Sequence, residues 1–210
     1  MEIKSKYIKG VEALTDEQVR AAMLQIQSQP VDKVNWEEYP YKPEVNVRVA
    51  HSDTAIAVMF SVTEDHVRAI TLEDNGPVWE DSCVEFFVKS PKRPGYFNFE
   101  INCIGTALAA YRHSRTDAEH FPAKKMDLIR RITSLPHVET DNMADNQSWT
   151  LIEIIPFELI DSEGIPEELS VNFYKCGDNC EPTHFLSWNP INLPAPNFHC
   201  PEFFGKLIFK

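Results

Sequence analysis

The 210-residue chain has no run of apolar residues long enough to span a bilayer as a helix. Its opening stretch, MEIKSKYIKG, lacks the apolar segment of a secretory leader. As written the sequence points to a cytoplasmic protein; if residues ahead of Met1 have been trimmed away, a secreted or periplasmic one fits equally. Positive charge is scarce: 20 Lys and Arg stand against 32 Asp and Glu, a formal net charge of -12. Nucleic acids and anionic membranes both need a basic footprint, so neither is an expected partner. Glycine is scarce too, with seven residues and no glycine-rich phosphate loop. The five cysteines, Cys83, Cys103, Cys176, Cys180 and Cys200, are odd in number and contain no C-x-x-C pair, which argues against a zinc ribbon and a full disulfide framework. Free buried thiols are the expectation. A Cys176–Cys180 bridge would close a small loop and would need an oxidising compartment. No internal repeat, low-complexity tract or linker interrupts the chain, so a single domain over residues 1–210 is expected. The oligomeric state has no sequence signature.

What the chain does have is aromatic and β-branched alternation. Thirteen Phe, six Tyr and four Trp favour strands, and fifteen prolines point to braced connections. One helix is expected, over residues 14–28. Thr15 with Gln18 reads as a capping box, and Leu14 with Val19 as the hydrophobic staple around it. Beyond it, period two dominates. Val45, Val47 and Val49 alternate with polar residues, and so do Ile56, Val58, Phe60 and Val62 after a break at Ser52-Asp53. Residues 82–89, 96–103, 106–112, 128–133, 149–155, 170–175 and 205–209 follow as strands, while the polar stretches 113–127 and 139–148 read as loops. The expected fold is mainly β: a two-sheet antiparallel β-sandwich, jelly-roll-like, with one N-terminal helix.

The polar strand faces carry the candidate chemistry. In 82–89, Val84, Phe86 and Val88 share one face, and Cys83, Glu85 and Phe87 the other. In 96–103, Asn98, Glu100 and Asn102 lie opposite Phe97, Phe99 and Ile101; in 170–175, Asn172 and Tyr174 lie opposite Val171 and Phe173. Aligned across one sheet, these groups form a row of carboxylates and amides that can bond vicinal hydroxyls, because amides donate and accept and carboxylates accept twice. Trp79 precedes the first of these strands, and Trp188 sits in the proline-rich stretch HFLSWNPINLPAPNF. Indole plates beside convergent polar groups describe a site for a small polar ligand. The same residues also support plainer readings, a wet sheet face and two anchoring tryptophans.

Other chemistries remain open. Glu85 and Glu100 on neighbouring strands are a candidate acid pair for a glycoside hydrolase acting on O-glycosyl bonds. Cys176, Cys180 and His184 recur at four-residue spacing, with His199-Cys200 further on, but the intervening Gly177, Asp178, Asn179 and Pro182 describe a loop rather than a ligand-bearing helix. No serine or cysteine lies in a nucleophile elbow. Binding is favoured over catalysis.

The run Pro77-Val78-Trp79-Glu80-Asp81-Ser82-Cys83-Val84-Glu85-Phe86-Phe87 resembles the signature of carbohydrate-binding module family 9. Phe99-Glu100-Ile101-Asn102, Val171-Asn172-Phe173-Tyr174, Ser187-Trp188 and the ending Asn197–Leu207 resemble its later motifs in order, so the likeness runs from about Val45 to the C-terminus. The resemblance implies a non-catalytic sugar-binding β-sandwich, linked to catabolism of xylan- or glucan-type polysaccharides. In it Trp79 and Trp188 would clamp one ring, and Glu85, Asn102 and Asn172 would bond its hydroxyls. Glu100 and Tyr174 stand where the family's sugar binders carry Arg and Gln, which points to a changed ligand preference or a sandwich repurposed for another polar ligand. No cofactor is required by this reading. The resemblance allows a structural calcium ion, with oxygens from Asp and Glu near 73–81 or from Asp178.

Overall fold

The computed structural model describes residues 1–209. Among them fourteen strands form: β1 (Glu2–Tyr7), β2 (Gln29–Pro30), β3 (Lys33–Val34), β4 (Glu44–His51), β5 (Ala55–Ala69), β6 (Cys83–Lys89), β7 (Tyr96–Asn102), β8 (Ala107–Arg112), β9 (Glu119–His120), β10 (Arg130–Thr133), β11 (Thr140–Pro156), β12 (Glu168–Gly177), β13 (His184–Ser187) and β14 (Gly205–Phe209). Two α-helices accompany them, α1 (Asp16–Leu24) and α2 (Ala123–Met126).

One sheet runs β1-β14-β12-β6-β7-β8-β9, with β13 on the far half of β12 and β3 on β13. The other runs β10-β11-β5-β4, with β2 on β4. The first strand belongs to both. Glu2–Ser5 pair in parallel with β14, and Lys6–Tyr7 pair in parallel with β4, so β1 stitches the sandwich at one side. The other pairings are antiparallel. The inward faces are the ones the alternation marks. Val45, Val47, Val49, Ile56, Val58, Phe60 and Val62 meet Val84, Phe86, Val88, Phe97, Phe99 and Ile101 in the main core. Phe86 stacks between Phe99 and Phe173 at centroid distances of 6.1 and 5.4 Å.

A second cluster covers the outer face of the first sheet. Phe87, Tyr96, Leu108 and Tyr174 project outward from the strands, and Trp36, Ile191 and Phe198 close over them from the connections. This layer decides where a site can form. It turns what alternation marks as an outer face into a buried one, with an opening lined by Trp79, Glu85 and Glu100.

The helix starts as expected: Gln18 N donates to Thr15 Oγ1 and Thr15 N to Gln18 Oε1. Such a box contributes about 1 kcal/mol. It ends at Leu24 rather than 28, because Arg48 Nε takes the Ile26 carbonyl and Gln29 enters the sheet against Val47. Residues 139–148, expected as a loop, form the first half of β11. Thr140–Met143 pair with Ala69–His66, and the register shifts between Met143 and Gln147. Most of this ribbon's residues are exposed and, apart from Met143 and Ala144, polar, so there is no alternation to read. The stretch 113–127, also expected as a loop, contains the short β9 and α2. His184–Ser187, at the head of the proline-rich segment, is strand β13.

Candidate ligand-binding site

Glu85 and Glu100 are direct partners in the β6–β7 ladder, and Tyr174 faces Glu85 from β12 on the other side. Directly opposed residues carry Cβ atoms about 5 Å apart on one face. The two carboxyls therefore stand side by side at the base of a cavity of about 390 Å³, within the usual range for small-ligand sites. Register also brings up the residues beside them. Asn98 Nδ2 donates to Glu100 Oε1 at 2.8 Å, and Arg112 Nε, from the end of β8, donates to Asn98 Oδ1 at 2.9 Å. Arg112 in turn holds the carbonyl of Arg115 at 2.7 Å, fixing the turn that brings Arg115 to the cavity rim. On the other flank the Cys176 thiol donates to Glu85 Oε1 at 3.1 Å.

The walls are aromatic. Trp79, in the short 3-10 turn Val78–Glu80, is 37% exposed and lines the cavity. Tyr39, Phe185 and Phe198 supply the remaining aromatic surface, with His199 and Asp178 beside them. Phe198 lies flat on Tyr174 at 4.2 Å, 5° from parallel, and the Tyr174 hydroxyl donates to the Phe198 carbonyl. His199 Nδ1 lies 3.0 Å from the Tyr96 hydroxyl. An ordered C-terminal loop is thus pinned to the sheet by two tyrosines.

Burial sets the electrostatics. Desolvation, and then the neighbouring Glu100 charge, push the Glu85 carboxyl well above the usual carboxylate range. Burial raises Glu100 to about 7, with Arg112 pulling the other way. Asp178 rises to about 6 by desolvation, and burial plus Arg112 lower His199 to about 3, leaving it a neutral ring. The base of the cavity is a pair of adjacent buried carboxyls, both shifted toward the protonated form, flanked by an amide and a guanidinium. It both donates and accepts hydrogen bonds.

Of the residues singled out in the sequence, Trp79, Glu85 and Glu100 come together here. Asn102 does not: its amide donates to the Thr71 carbonyl and to Asp81 Oδ2, and its oxygen accepts from Thr106 N, securing a turn. Asn172 is equally occupied, bonding both backbone groups of Asn189 at 2.8 and 3.1 Å. Tyr174 lies beneath Phe198 rather than in the opening. Trp188 departs most from expectation. It is fully buried in the main core against Phe173, and its indole N–H donates to Gln29 Oε1 at 2.7 Å. A clamp of two tryptophans does not fit this geometry, because no face of Trp188 is open to a ligand.

Arg112, Arg115, Phe185, Phe198, His199, Tyr39, Cys176 and Asp178 were not picked out as ligand contacts. Two of them carried a usable signal: Cys176 extends the Asn172–Tyr174 face by two residues, and Arg112 extends Leu108–Ala110 in the same way.

Three of the carboxylates considered for calcium, Asp74, Glu80 and Asp81, have partners within the protein. Asp81 accepts from Ile70 N, Thr71 N and Asn102; Asp74 accepts from Ala107 N and pairs with Arg131; Glu80 accepts from Asn179. Among the described residues, the donor atoms that gather within 4.8 Å of one another are those of Cys83, Glu85 and Cys176; Cys180 and His184 are not part of that group.

Residues 15–209 match the family described as Carbohydrate-binding family 9. A solved structure of a Bacteroides uniformis ATCC 8492 protein, to which carbohydrate binding is provisionally ascribed, is 38% identical with a TM-score of 0.93, over 100% of this chain and 99% of that one. Two structures of a carbohydrate-binding module family 9 domain from Caldicellulosiruptor kristjanssonii share the fold at 12% identity. The one in complex with glucose has a TM-score of 0.66 over 100% of this chain and 96% of that one. The one in complex with cellotriose has a TM-score of 0.65 over 100% and 94%. No curated protein matches the sequence. With the family match covering nearly the whole chain and the order of motifs reproduced on a β-sandwich, this chain belongs to carbohydrate-binding family 9.

Proposed function

We propose that the cavity beside Trp79 binds one saccharide ring or chain end without cleaving it, and that the protein serves the breakdown of xylan- or glucan-type polysaccharides. The observation that carries the reading is the juxtaposition of a half-exposed indole with the buried, adjacent Glu85–Glu100 pair in one cavity of about 390 Å³. The indole offers a broad apolar plate to the C–H face of a pyranose, and the base bonds adjacent hydroxyls. Structures of a family 9 domain with glucose and with cellotriose support the ligand class. Tyr39, Phe185 and Phe198 take the place of a second tryptophan. Arg112 returns, from the neighbouring strand, the guanidinium that Glu100 displaces from the expected position.

The same register weighs against hydrolysis. A glycosidase sets its two carboxyls on either side of the scissile bond. Glu85 and Glu100 project from adjacent strands on one face, so both approach a ligand from the same side.

Calorimetric titration of mono- and disaccharides into wild type, Trp79→Ala and Glu85→Gln tests the reading. Binding by wild type that both variants weaken at least tenfold is the expected result. A folded wild type that gives no heat with any xylan- or glucan-derived sugar, or a Trp79→Ala protein that binds as well as wild type, would overturn it.

A further inference from the structure

Cys83 and Cys176 face each other directly across the β6–β12 ladder, and Glu85 follows Cys83 by two residues on the same face. Their donor atoms all lie within 4.8 Å of one another, and the three residues are buried. In a tetrahedral zinc site with metal–sulfur distances of about 2.3 Å, two thiolate sulfurs stand about 3.8 Å apart, so a contraction of at most about 1 Å would close the set. The backbone beneath is rigid: β6 lies between β7 and β12, near the middle of its sheet.

The protein itself does little to satisfy the Glu85 carboxyl. The only hydrogen bond Glu85 accepts among the described residues comes from the Cys176 thiol, a weak donor. Its ladder partner is another carboxyl, Glu100, and the nearest guanidinium reaches Glu100 only through Asn98. Arg112 and Arg115 line the same cavity, but neither donates a hydrogen bond to Glu85 or Glu100 among the described residues. The opening is correctly placed as well, since Glu85 and Cys176 both line the cavity while Cys83 lies behind them.

We infer that Cys83, Cys176 and Glu85 form a site for a zinc-class divalent ion at the base of the cavity, with the fourth position open to water or to a ligand hydroxyl. Two thiolates and one carboxylate favour a borderline-soft ion and exclude magnesium or calcium as the preferred occupant. Binding forms two metal–sulfur bonds and one metal–oxygen bond. The two thiol protons leave to solvent, together with the Glu85 proton when that carboxyl carries one, so affinity falls as pH falls. The inference shares Glu85 with the saccharide reading but does not depend on it, because the ion is tested with no sugar present.

The test uses the full chain, reduced and anaerobic, titrated with Zn2+ alone, and with Cd2+ as a spectroscopic stand-in. One equivalent per chain is expected, with a sulfur-to-cadmium charge-transfer band in the ultraviolet and X-ray absorption at the zinc edge reporting two sulfur ligands. Cys83→Ser and Cys176→Ser should each lose the band, Glu85→Gln should weaken zinc binding at least tenfold, and Cys103→Ser should leave both unchanged. The zinc-edge measurement on wild type stands even where a cysteine variant fails to fold. A wild type without a charge-transfer band, a zinc edge without sulfur, or a band that survives both cysteine substitutions would overturn the site.

Discussion

Strand β12 separates two buried clusters of charge that differ in how they are satisfied. On its inner face Lys175 lies 2.8 Å from Glu64 Oε2, an ion-pair contact between the two sheets, with both side chains wholly buried. Trp149 Nε1 donates to Glu64 Oε1 at 2.7 Å, and Lys175 Nζ donates to the Cys176 carbonyl and to His184 Nε2, each at 2.8 Å. His184 Nδ1 then donates to the Pro182 carbonyl. Burial and the adjacent lysine lower the His184 pKa far enough to keep the ring neutral, and Glu64 overcomes burial to raise that of Lys175. On the outer face, one residue along, Cys176 meets Glu85 and Glu100, where two carboxyls share space with no cation in contact. The inner cluster sets a lysine beside its carboxylate, is wholly buried and joins the two sheets, although Glu64 Oε2 is held by the ion-pair contact alone. The outer cluster lines a cavity and sets two carboxyls beside each other with no ion-pair partner among the described residues. What distinguishes the two clusters is access: one is sealed between the sheets, the other lines an opening.

Breaking the closed cluster should cost most. Lys175→Met leaves Glu64 buried beside no cation and is expected to destabilise the fold by about 3–5 kcal/mol, with Lys175→Met/Glu64→Gln recovering a large part, both read by urea unfolding. A double variant no more stable than the single one would mean that Glu64 and Lys175 do not act as a pair. Trp188→Ala should lose a similar amount, about 3–5 kcal/mol, because it empties core volume. Trp79→Ala, at the open site, should change stability by less than about 0.5 kcal/mol, its effect appearing in saccharide affinity. Equal losses of stability for the two tryptophans would erase the distinction between core anchor and ligand plate.

Glu153 sharpens the comparison from a third position. It points from β11 into the main core, and its Oε2 has no hydrogen-bond partner. Burial alone drives its pKa well above the usual range. With the folded-state pKa above the unfolded value of about 4.3, its contribution is most favourable below that pH and is lost as pH rises toward the folded-state pKa. Glu153→Leu should therefore stabilise by about 1–3 kcal/mol at pH 7 and by less at pH 4. A gain that does not vary with pH would show that shape, not charge, limits this position. The smallest effect belongs to the open pair itself. If sugar hydroxyls donate to Glu100, raised to about 7, affinity should climb less than tenfold between pH 6 and pH 8, and Glu100→Gln should flatten the profile. A wild-type profile already flat across that range would remove Glu100 from the contact.

The alternation of Phe97, Phe99 and Ile101 against Asn98, Glu100 and Asn102 assigned the faces of β7 correctly, because side-chain direction in a strand is local. It did not say that the polar face is buried. That depends on Trp36 and on the segment from Ile191 to Phe204, distant in sequence, folding over it. Trp79 and Trp188 look equivalent as isolated tryptophans. They differ because Trp188 leaves β13 beside Phe173 on the inward side, whereas Trp79 sits in a turn at the cavity mouth. Arg112 escaped notice for a related reason: a charged residue at a strand end reads as solvent-facing until the neighbouring strand supplies Asn98. The ribbon at residues 140–147 escaped because backbone pairing and a few polar contacts such as Asp141 with His66 hold it, without an apolar face.

By itself the sequence determined the β-class of the fold, the inward face of each long strand, the helix start at Thr15 and the order of motifs that marks the family, since all of these rest on contacts within a few residues. Tertiary structure decided which of those faces would be covered, which tryptophan would be free, and that Glu85, Glu100, Cys83 and Cys176 would share one enclosed space. The reason is physical: the energy of a polar group depends on what removes its water, and here the covering residues come from distant parts of the chain.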